Sequence, residues 1–239
     1  MTTEISLVRL ARKWSRDLAG LEFHTPSHVY NPLDYAWDGY HQYLERFGEG
    51  TGRVLLVGMN PGPWGMTQTG VPFGNISAVR GWFHIDTRLM PHHLPLQHEK
   101  YPILGMACHR DEGSGKRLWG WVQDRVGTPE QFFERFFVWN YCPLLFLAKN
   151  RNLIPGALKA AESRPLDALC DEALAHAVRV LKPAAIMGIG RYAVDKAKAV
   201  VGDSVPVGYL HHPSPANPTA NARWPELAEE ALRQWLPAP

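Results

Sequence analysis

Four short apolar runs punctuate the chain: Arg53–Gly58 (RVLLVG), Phe136–Asn140 (FFVWN), Ala184–Gly188 (AAIMG) and Val205–Leu210 (VPVGYL). Each is nearly continuous rather than alternating, the pattern of a strand covered on both faces in a parallel sheet. Helical spacing fills the intervals. Ile5, Leu7, Val8, Leu10, Ala11, Trp14 and Leu18 form a stripe over residues 3–20 that stops at Gly20, and a second helix is predicted over 34–47. Asn75 or Ser77 is placed to cap a helix through Ile76, Val79, Trp82 and Phe83. Gly113–Gly127 reads as a helix opened and closed by glycine. Thr128 and Pro129 open another that runs to Arg135. The strongest pattern, Ser163–Lys182, is stopped by Pro183. A short helix over Arg191–Val201 and a final one through Trp224, Leu227, Ala228, Ala231, Leu232 and Trp235 complete the series. Strands alternating with helical crossovers predict an α/β fold, three layers α/β/α around a central four-stranded parallel sheet, in a single domain over residues 1–239.

The chemistry is expected where strands end, because open parallel sheets place ligand sites at their carboxyl edge. The first strand runs into MNPGPWGMTQTGVPFG, where Pro61 and Pro63 around Gly62 forbid an immediate helix. Met59, Asn60, Gly62, Met66, Gln68, Thr69 and Phe73 are thereby held over the strand end. Asn60 reads equally well as a turn starter before proline or as a functional group. The second strand ends in Asn140 before Tyr141-Cys142-Pro143, and the fourth in His211-His212 before a proline-rich loop, HPSPANPTAN. An Asn, an Asn and a His bring neither a strong nucleophile nor a carboxylate pair, which argues against acyl transfer and two-carboxylate glycoside chemistry. They suit a reaction whose leaving group departs as an anion, needing a placed water and a donor.

Composition narrows this further. A chain of 239 residues with 45% hydrophobic and 20% charged residues has the balance of an ordinary globule. Cys108, Cys142 and Cys170 form no CxxC pair, exclude an iron–sulfur cluster and fit a reducing cytoplasm. The segment 86–113 is rich in histidine and proline, with His84 just before it and His92, His93 and His98 within. It lacks an HxxxH pair or a cysteine partner, so a polar surface loop is expected and no metal. No apolar run approaches the roughly 18 residues of a membrane span, and no export signal is expected. The net charge of +2 permits nucleic acid as a partner without requiring it. Lys116 and Arg117 stand in the first turn of their helix, where cations oppose the dipole. An anion nearby or a solvated face would each explain them.

Three segments, GMNPGPWGMTQTGVPFG, NYCPLLFL and HPSPANPTAN, with SGKRLWGW between, resemble the signatures of the single-strand-selective monofunctional uracil-DNA glycosylases, the third family of the uracil-DNA glycosylase superfamily. The resemblance extends over residues 50–235 and implies a uracil-DNA glycosylase-like fold of the bacterial type without cofactor; a monomer is expected by default, in the bacterial cytoplasm that the scattered cysteines fit. It implies excision of uracil and 5-substituted or oxidised relatives such as 5-hydroxymethyluracil from single- and double-stranded DNA; apart from the resemblance, a roomy pocket presenting Asn and His donors could also admit xanthine or hypoxanthine. By the resemblance, Asn60 orients the water and His212 steadies negative charge on uracil O2. Met59, Gly62, Met66, Phe73 and Asn140 surround the base. Phe73 stacks on it (a plain core position is the alternative), Asn140 reads N3 and O4, and Gly62 leaves room beside C5. Ser114, Lys116 and Arg117, with Pro213, Ser214, Pro215, Ala216 and Asn217, contact DNA. Ala216 stands where relatives carry a wedge, often Arg, which puts duplex activity in question. His211 has no implied role and is expected to be structural. The competing readings are a non-catalytic binder of damaged DNA and a nucleotide-binding α/β protein. The latter lacks a phosphate-cradling GxGxxG after its first strand.

Overall fold

The computed structural model describes residues 6–149, 151–217, 221 and 223–237. Its centre is a parallel sheet of β2 (Val54–Gly58), β3 (Phe136–Asn140), β6 (Ala185–Ile189) and β7 (Val207–Leu210), in the order β3-β2-β6-β7. Register places Gly58 beside Asn140, and Val57 beside both Trp139 and Gly188. Three of the predicted strands start later than expected, β2 and β6 by one residue and β7 by two; β7 is delayed because Pro206 cannot donate to a ladder.

Helices cover both faces. On one, Trp14 of α1 (Leu7–Ala19) stacks on Trp139 at 5.5 Å, and Tyr43 of α3 (Trp37–Phe47) stacks on Phe137 and donates to the Val138 carbonyl. The long α8 (Ala160–Leu181) and α9 (Arg191–Val201) share that layer. On the other face, Phe136 stacks on Phe132 of α7 (Pro129–Phe133), which meets Trp119 of α6 (Gly113–Val126). Trp121 of α6 packs edge-on against Trp224 of α10 (Trp224–Leu232). Aromatic burial on this scale contributes well beyond the area alone.

The predicted helix over 34–47 is two pieces, α2 (Pro32–Tyr35) and α3, broken at Ala36. Ser6 caps α1 through Arg9 N–H, and positions 3–5 of the predicted stripe lie outside the described residues. Thr128 caps α7 as expected, and does so in a reciprocal box: its hydroxyl accepts from Gln131 N–H, and the Gln131 amide oxygen accepts from Thr128 N–H; the helix ends at Phe133, two residues short of the predicted Arg135. Asn75, however, spends its amide on the Ser77 hydroxyl and does not cap α5 (Ile76–Gly81).

A second sheet was not foreseen. β1 (His28–Tyr30), β4 (Leu145–Ala148) and β5 (Arg151–Leu153) pair antiparallel in the order β1-β4-β5. It flanks the carboxyl edge of the main sheet, and its β4 continues directly from the loop after Asn140, so that loop is anchored at both ends.

Candidate active site

Two loops leave neighbouring strands and are knitted together at once. Tyr141 N–H donates to the Gly58 carbonyl at 2.8 Å, and Cys142 N–H to the Met59 carbonyl at 2.9 Å. The first loop is then braced internally. Thr67 donates to the Gly62 carbonyl and Thr69 to the Gly74 carbonyl. Gln68, buried, donates to the Pro63 and Pro102 carbonyls and accepts from Leu104 and Gly105 N–H. Gln68 and Thr69 therefore hold the loop and do not face a ligand. α4 (Met66–Thr69) is one turn long and carries Met66 inward.

Phe73 adopts φ of +54°, an uncommon conformation for a side-chain-bearing residue. Its carbonyl accepts from Trp119 Nε1 at 3.1 Å and from Asn75 N–H at 2.9 Å, which fixes that backbone. Gly115 of α6 packs so closely on this carbonyl that any β-carbon there would collide with it. The ring lies over Gly58, where a β-carbon would sit 2.6 Å from its Cε2 and also collide with Asn140 Oδ1. Gly58 and Gly115 thus let the Phe73 ring and the Asn140 amide share one strand end. Neither glycine stands out in the sequence, because each is defined by what packs on it.

Asn140 is 4% exposed. Its Nδ2 faces Met66 Sδ at 3.1 Å, a weak acceptor, and its Oδ1 is buried with no hydrogen-bond partner among the described residues. Asn60 is half-buried, with Nδ2 donating to the Leu144 carbonyl at 3.1 Å and the Pro61 carbonyl at 3.4 Å. Both donor hydrogens are engaged by backbone, so the amide is locked with Oδ1 as its free acceptor.

His212 enters from the end of β7. Its Nδ1 accepts from Ser214 N–H at 3.1 Å, which puts the proton on Nε2. Burial lowers its pKa, so the ring is a neutral Nε2–H donor. It stands 6.2 Å from the Phe73 ring. The loop behind it is self-tied: Ser214 Oγ accepts from Ala216 N–H, and Asn217 donates to the His212 carbonyl. Pro213 is buried, while Pro215 and Ala216 are exposed at the tip. Residues 218–220 of the motif lie outside the described residues. His211 turns away, its carbonyl accepting from Trp224 Nε1 at 2.7 Å and its ring against Tyr209.

Met59 is half-buried at the loop's start and Ser114 is buried in the first turn of α6. Lys116 pairs with Asp111 at 3.0 Å. Arg117 donates to Asn221 Oδ1 at 2.9 Å and keeps a buried Nη1 without a partner among the described residues, so it ties α6 to the last loop. In the histidine-rich segment, His93 pairs with Asp34, and His98 Nε2 lies 3.2 Å from the Lys149 carbonyl. The room expected beside Gly62 is occupied: the Glu112 carboxyl fills it, with Oε1 2.9 Å from where a Gly62 β-carbon would be. Sequence reasoning missed Glu112, one charge in a polar stretch whose partner glycines lie some fifty positions earlier.

One strand-end cleft therefore gathers a flat aromatic face, an amide with two under-used polar atoms, a fixed acceptor and a neutral imidazole donor. These can stack a planar ring, read a donor–acceptor pair on its edge, hold a water and stabilise developing negative charge.

The family model described as uracil DNA glycosylase superfamily matches residues 45–236. The single-strand selective monofunctional uracil-DNA glycosylase of Rattus norvegicus is 43% identical over 223 residues, which are 91% of this chain and 80% of the relative. Its counterparts from Mus musculus and Bos taurus are each 42% identical, over 91% and 86% of this chain and 79% and 76% of their own lengths. Among solved structures, the crystal structure of wild-type Pedobacter heparinus SMUG2 aligns with a TM-score of 0.68 over 96% of this chain and 97% of that chain. At 15% identity this is a likeness of fold.

Proposed function

The chain belongs to the uracil DNA glycosylase superfamily, and from that premise we propose that it is a monofunctional DNA glycosylase hydrolysing the N-glycosidic bond of uracil in DNA. The observation that carries the reading is the Asn140 amide, buried beneath Phe73 with its Oδ1 unpaired. An unpaired buried acceptor costs about 1–3 kcal/mol unless a ligand supplies a donor.

A base within a duplex is out of reach, so the target nucleotide is rotated into the cleft. Phe73 takes one face of the ring. Asn140 Oδ1 accepts from N3–H, and Nδ2 turns from the weak Met66 acceptor to O4. Cytosine presents the opposite polarity at both atoms and leaves the amide unpaired twice over, which is how such sites discriminate strongly. As the glycosidic bond lengthens, charge accumulates on the base, and the His212 Nε2–H donates to O2. A donor placed at a developing oxyanion contributes roughly 10²–10³ in rate. The sugar becomes cation-like, and a water accepted by Asn60 Oδ1 adds at C1′. Asn60 orients that water without deprotonating it, since the cation-like sugar is the driving electrophile. The C1′–N1 electron pair leaves with the base, water oxygen bonds to C1′ and its surplus proton passes through solvent to the base anion, giving a free base and an abasic site. None of the residues assigned to the base or the water (Met59, Asn60, Gly62, Met66, Phe73, Asn140 and His212) is a lysine, which accords with a reaction without lyase chemistry.

Ser114, Lys116 and Arg117 and the loop from Pro213 to Asn217 flank the cleft and are assigned to the DNA backbone, where contacts position without specifying sequence. Arg117, already bonded to Asn221, also steadies the loop carrying His212. Ala216 at the exposed tip is too small to fill the gap left by a flipped nucleotide, so single strands are the expected preferred substrates. Action in a reducing cytoplasm accords with three unpaired, buried cysteines, and a monomer is the default for an enzyme that must wrap damaged DNA.

The test is single-turnover excision from oligonucleotides carrying one uracil, single- and double-stranded, with alkali cleavage to reveal abasic sites. Strand breaks only after alkali support a monofunctional glycosylase. Breaks without alkali, or none from a folded protein, contradict it and bring forward the non-catalytic binder.

A further inference from the structure

The carboxyl of Glu112 stands where the first loop has no side chains of its own. A β-carbon at Gly62 would lie 2.9 Å from Oε1 and 3.2 Å from Cδ; one at Gly65 would lie 2.9 Å from Cδ and collide with Oε2. The two glycines form a notch, and the carboxyl fills it. Among the described residues it makes no hydrogen bond and no ion pair, and Lys116, one turn along α6, pairs with Asp111 instead. Glu112 is half-buried, and burial pushes its carboxyl up to about 7. A carboxyl held against glycine backbone without a partner costs free energy that folding does not recover. A ligand that supplies the partner would recover it.

The orientation of the base says which ligand atom that is, and here the argument rests on the uracil reading above. Asn140 Nδ2, the donor to O4, lies beside Met66 Sδ. O4 therefore abuts Met66, and the next ring atom, C5, faces the loop from Gly62 to Gly65 that leads into Met66. His212 lies across Phe73, on the O2 side.

We propose that Glu112 is the specificity-determining residue at C5 of the base. Its carboxyl takes a hydrogen bond from a hydroxyl-bearing C5 substituent and disfavours a methyl. A hydrogen at C5 leaves the carboxyl its remaining exposure to water. A methyl seals it with no partner, whereas a hydroxymethyl seals it and supplies one. Thymine, present in vast excess in DNA, carries that methyl, so an uracil-excising enzyme needs such a wall.

The experiment compares wild type, Glu112→Gln and Glu112→Leu in single-turnover excision from single-stranded oligonucleotides carrying uracil, 5-hydroxymethyluracil or thymine, with unfolding temperatures measured alongside. The 5-hydroxymethyluracil-to-uracil rate ratio is expected to fall at least tenfold in Glu112→Leu, about 1.4 kcal/mol. Glu112→Gln, which keeps a carbonyl acceptor, is expected to hold that ratio within about threefold of wild type, the range of one weak hydrogen bond. A wild-type ratio in Glu112→Leu overturns the proposal. So does an equal loss on both bases, which would make Glu112 a brace of the loop. A folded wild type that leaves uracil in place overturns the glycosylase reading itself, and this proposal with it. The two failures are thus distinguished by the uracil rate alone.

Discussion

Glu162 and Glu112 are the same side chain treated in opposite ways. At the start of α8, Glu162 Oε1 accepts from the N–H groups of His24 and Thr25, and Oε2 from the Thr25 hydroxyl and Lys159 N–H. Those donors hold its carboxyl down at about 2. Glu112, against Gly62 and Gly65, has no such donors among the described residues, and burial drives it up to about 7. The first carboxylate stitches the segment before β1 to a helix. The second stands in the notch between Gly62 and Gly65, in the loop that also carries Asn60. An unpaired atom alone does not mark a site: Trp14 Nε1 and Trp139 Nε1, inside the core, also lack partners among the described residues. What marks the cleft is that its open atoms gather from three strand ends at the carboxyl edge of one sheet.

The largest expected effect breaks the open side of that contrast. Asn60→Ala removes the acceptor for water and is expected to lower single-turnover uracil excision at least about 1,000-fold, while binding of a uracil oligonucleotide persists. Turnover near wild type would remove Asn60 from the mechanism. His212→Ala is expected to cost about 100-fold at pH 7.5, where burial, which lowers the ring's pKa, leaves it a neutral donor; that is the usual worth of one oxyanion donor. A rate that rises in wild type as pH falls through 6 would instead point to an imidazolium.

Glu162→Gln tests the satisfied side. It is expected to lower the unfolding temperature by several degrees at pH 7 and to leave excision per folded molecule unchanged. The pH sign follows from linkage. A carboxyl depressed from about 4.5 to about 2 stabilises the fold above pH 4.5, and that contribution is lost as pH falls toward 2. Wild type and variant should therefore converge in acid, and a gap that stays constant with pH would contradict the clamp.

These effects depend on features legible in the chain to different degrees. The parallel sheet was readable because its strands, buried on both faces, are apolar throughout, and Asn60, Asn140 and His212 because each follows such a run. β1, β4 and β5 were not, since three- and four-residue strands carry too short a period and their pairing joins His28 to Leu147 across the whole first half of the chain. Arg117 could be read as a phosphate contact but not as a partner of Asn221, 104 positions on. Glu112, Gly58 and Gly115 acquire meaning only from what packs on them, which no spacing encodes.

The smallest effect sharpens the comparison. A carboxyl raised from 4.5 to about 7 binds its proton more tightly folded than unfolded, so stability falls as pH rises through that window. Glu112→Gln removes the penalty and is expected to be more stable than wild type at pH 8, by on the order of 1 kcal/mol, and equal to it at pH 4. Lower stability at pH 8 would mean that the carboxylate has a partner in solution.

The most direct test of the central claim, that the cleft is built from polar groups left open for a base, is to measure unfolding free energy and uracil excision on one preparation of Asn140→Leu. Leucine is close in volume and removes the unpaired buried oxygen. The expected result is stability equal to wild type or higher by about 1 kcal/mol, with uracil excision reduced at least 1,000-fold, roughly the discrimination that paired polar groups provide. A loss of more than about 2 kcal/mol, as for a core residue, together with persistent excision, would show that Asn140 belongs to the fold and that the base is read elsewhere.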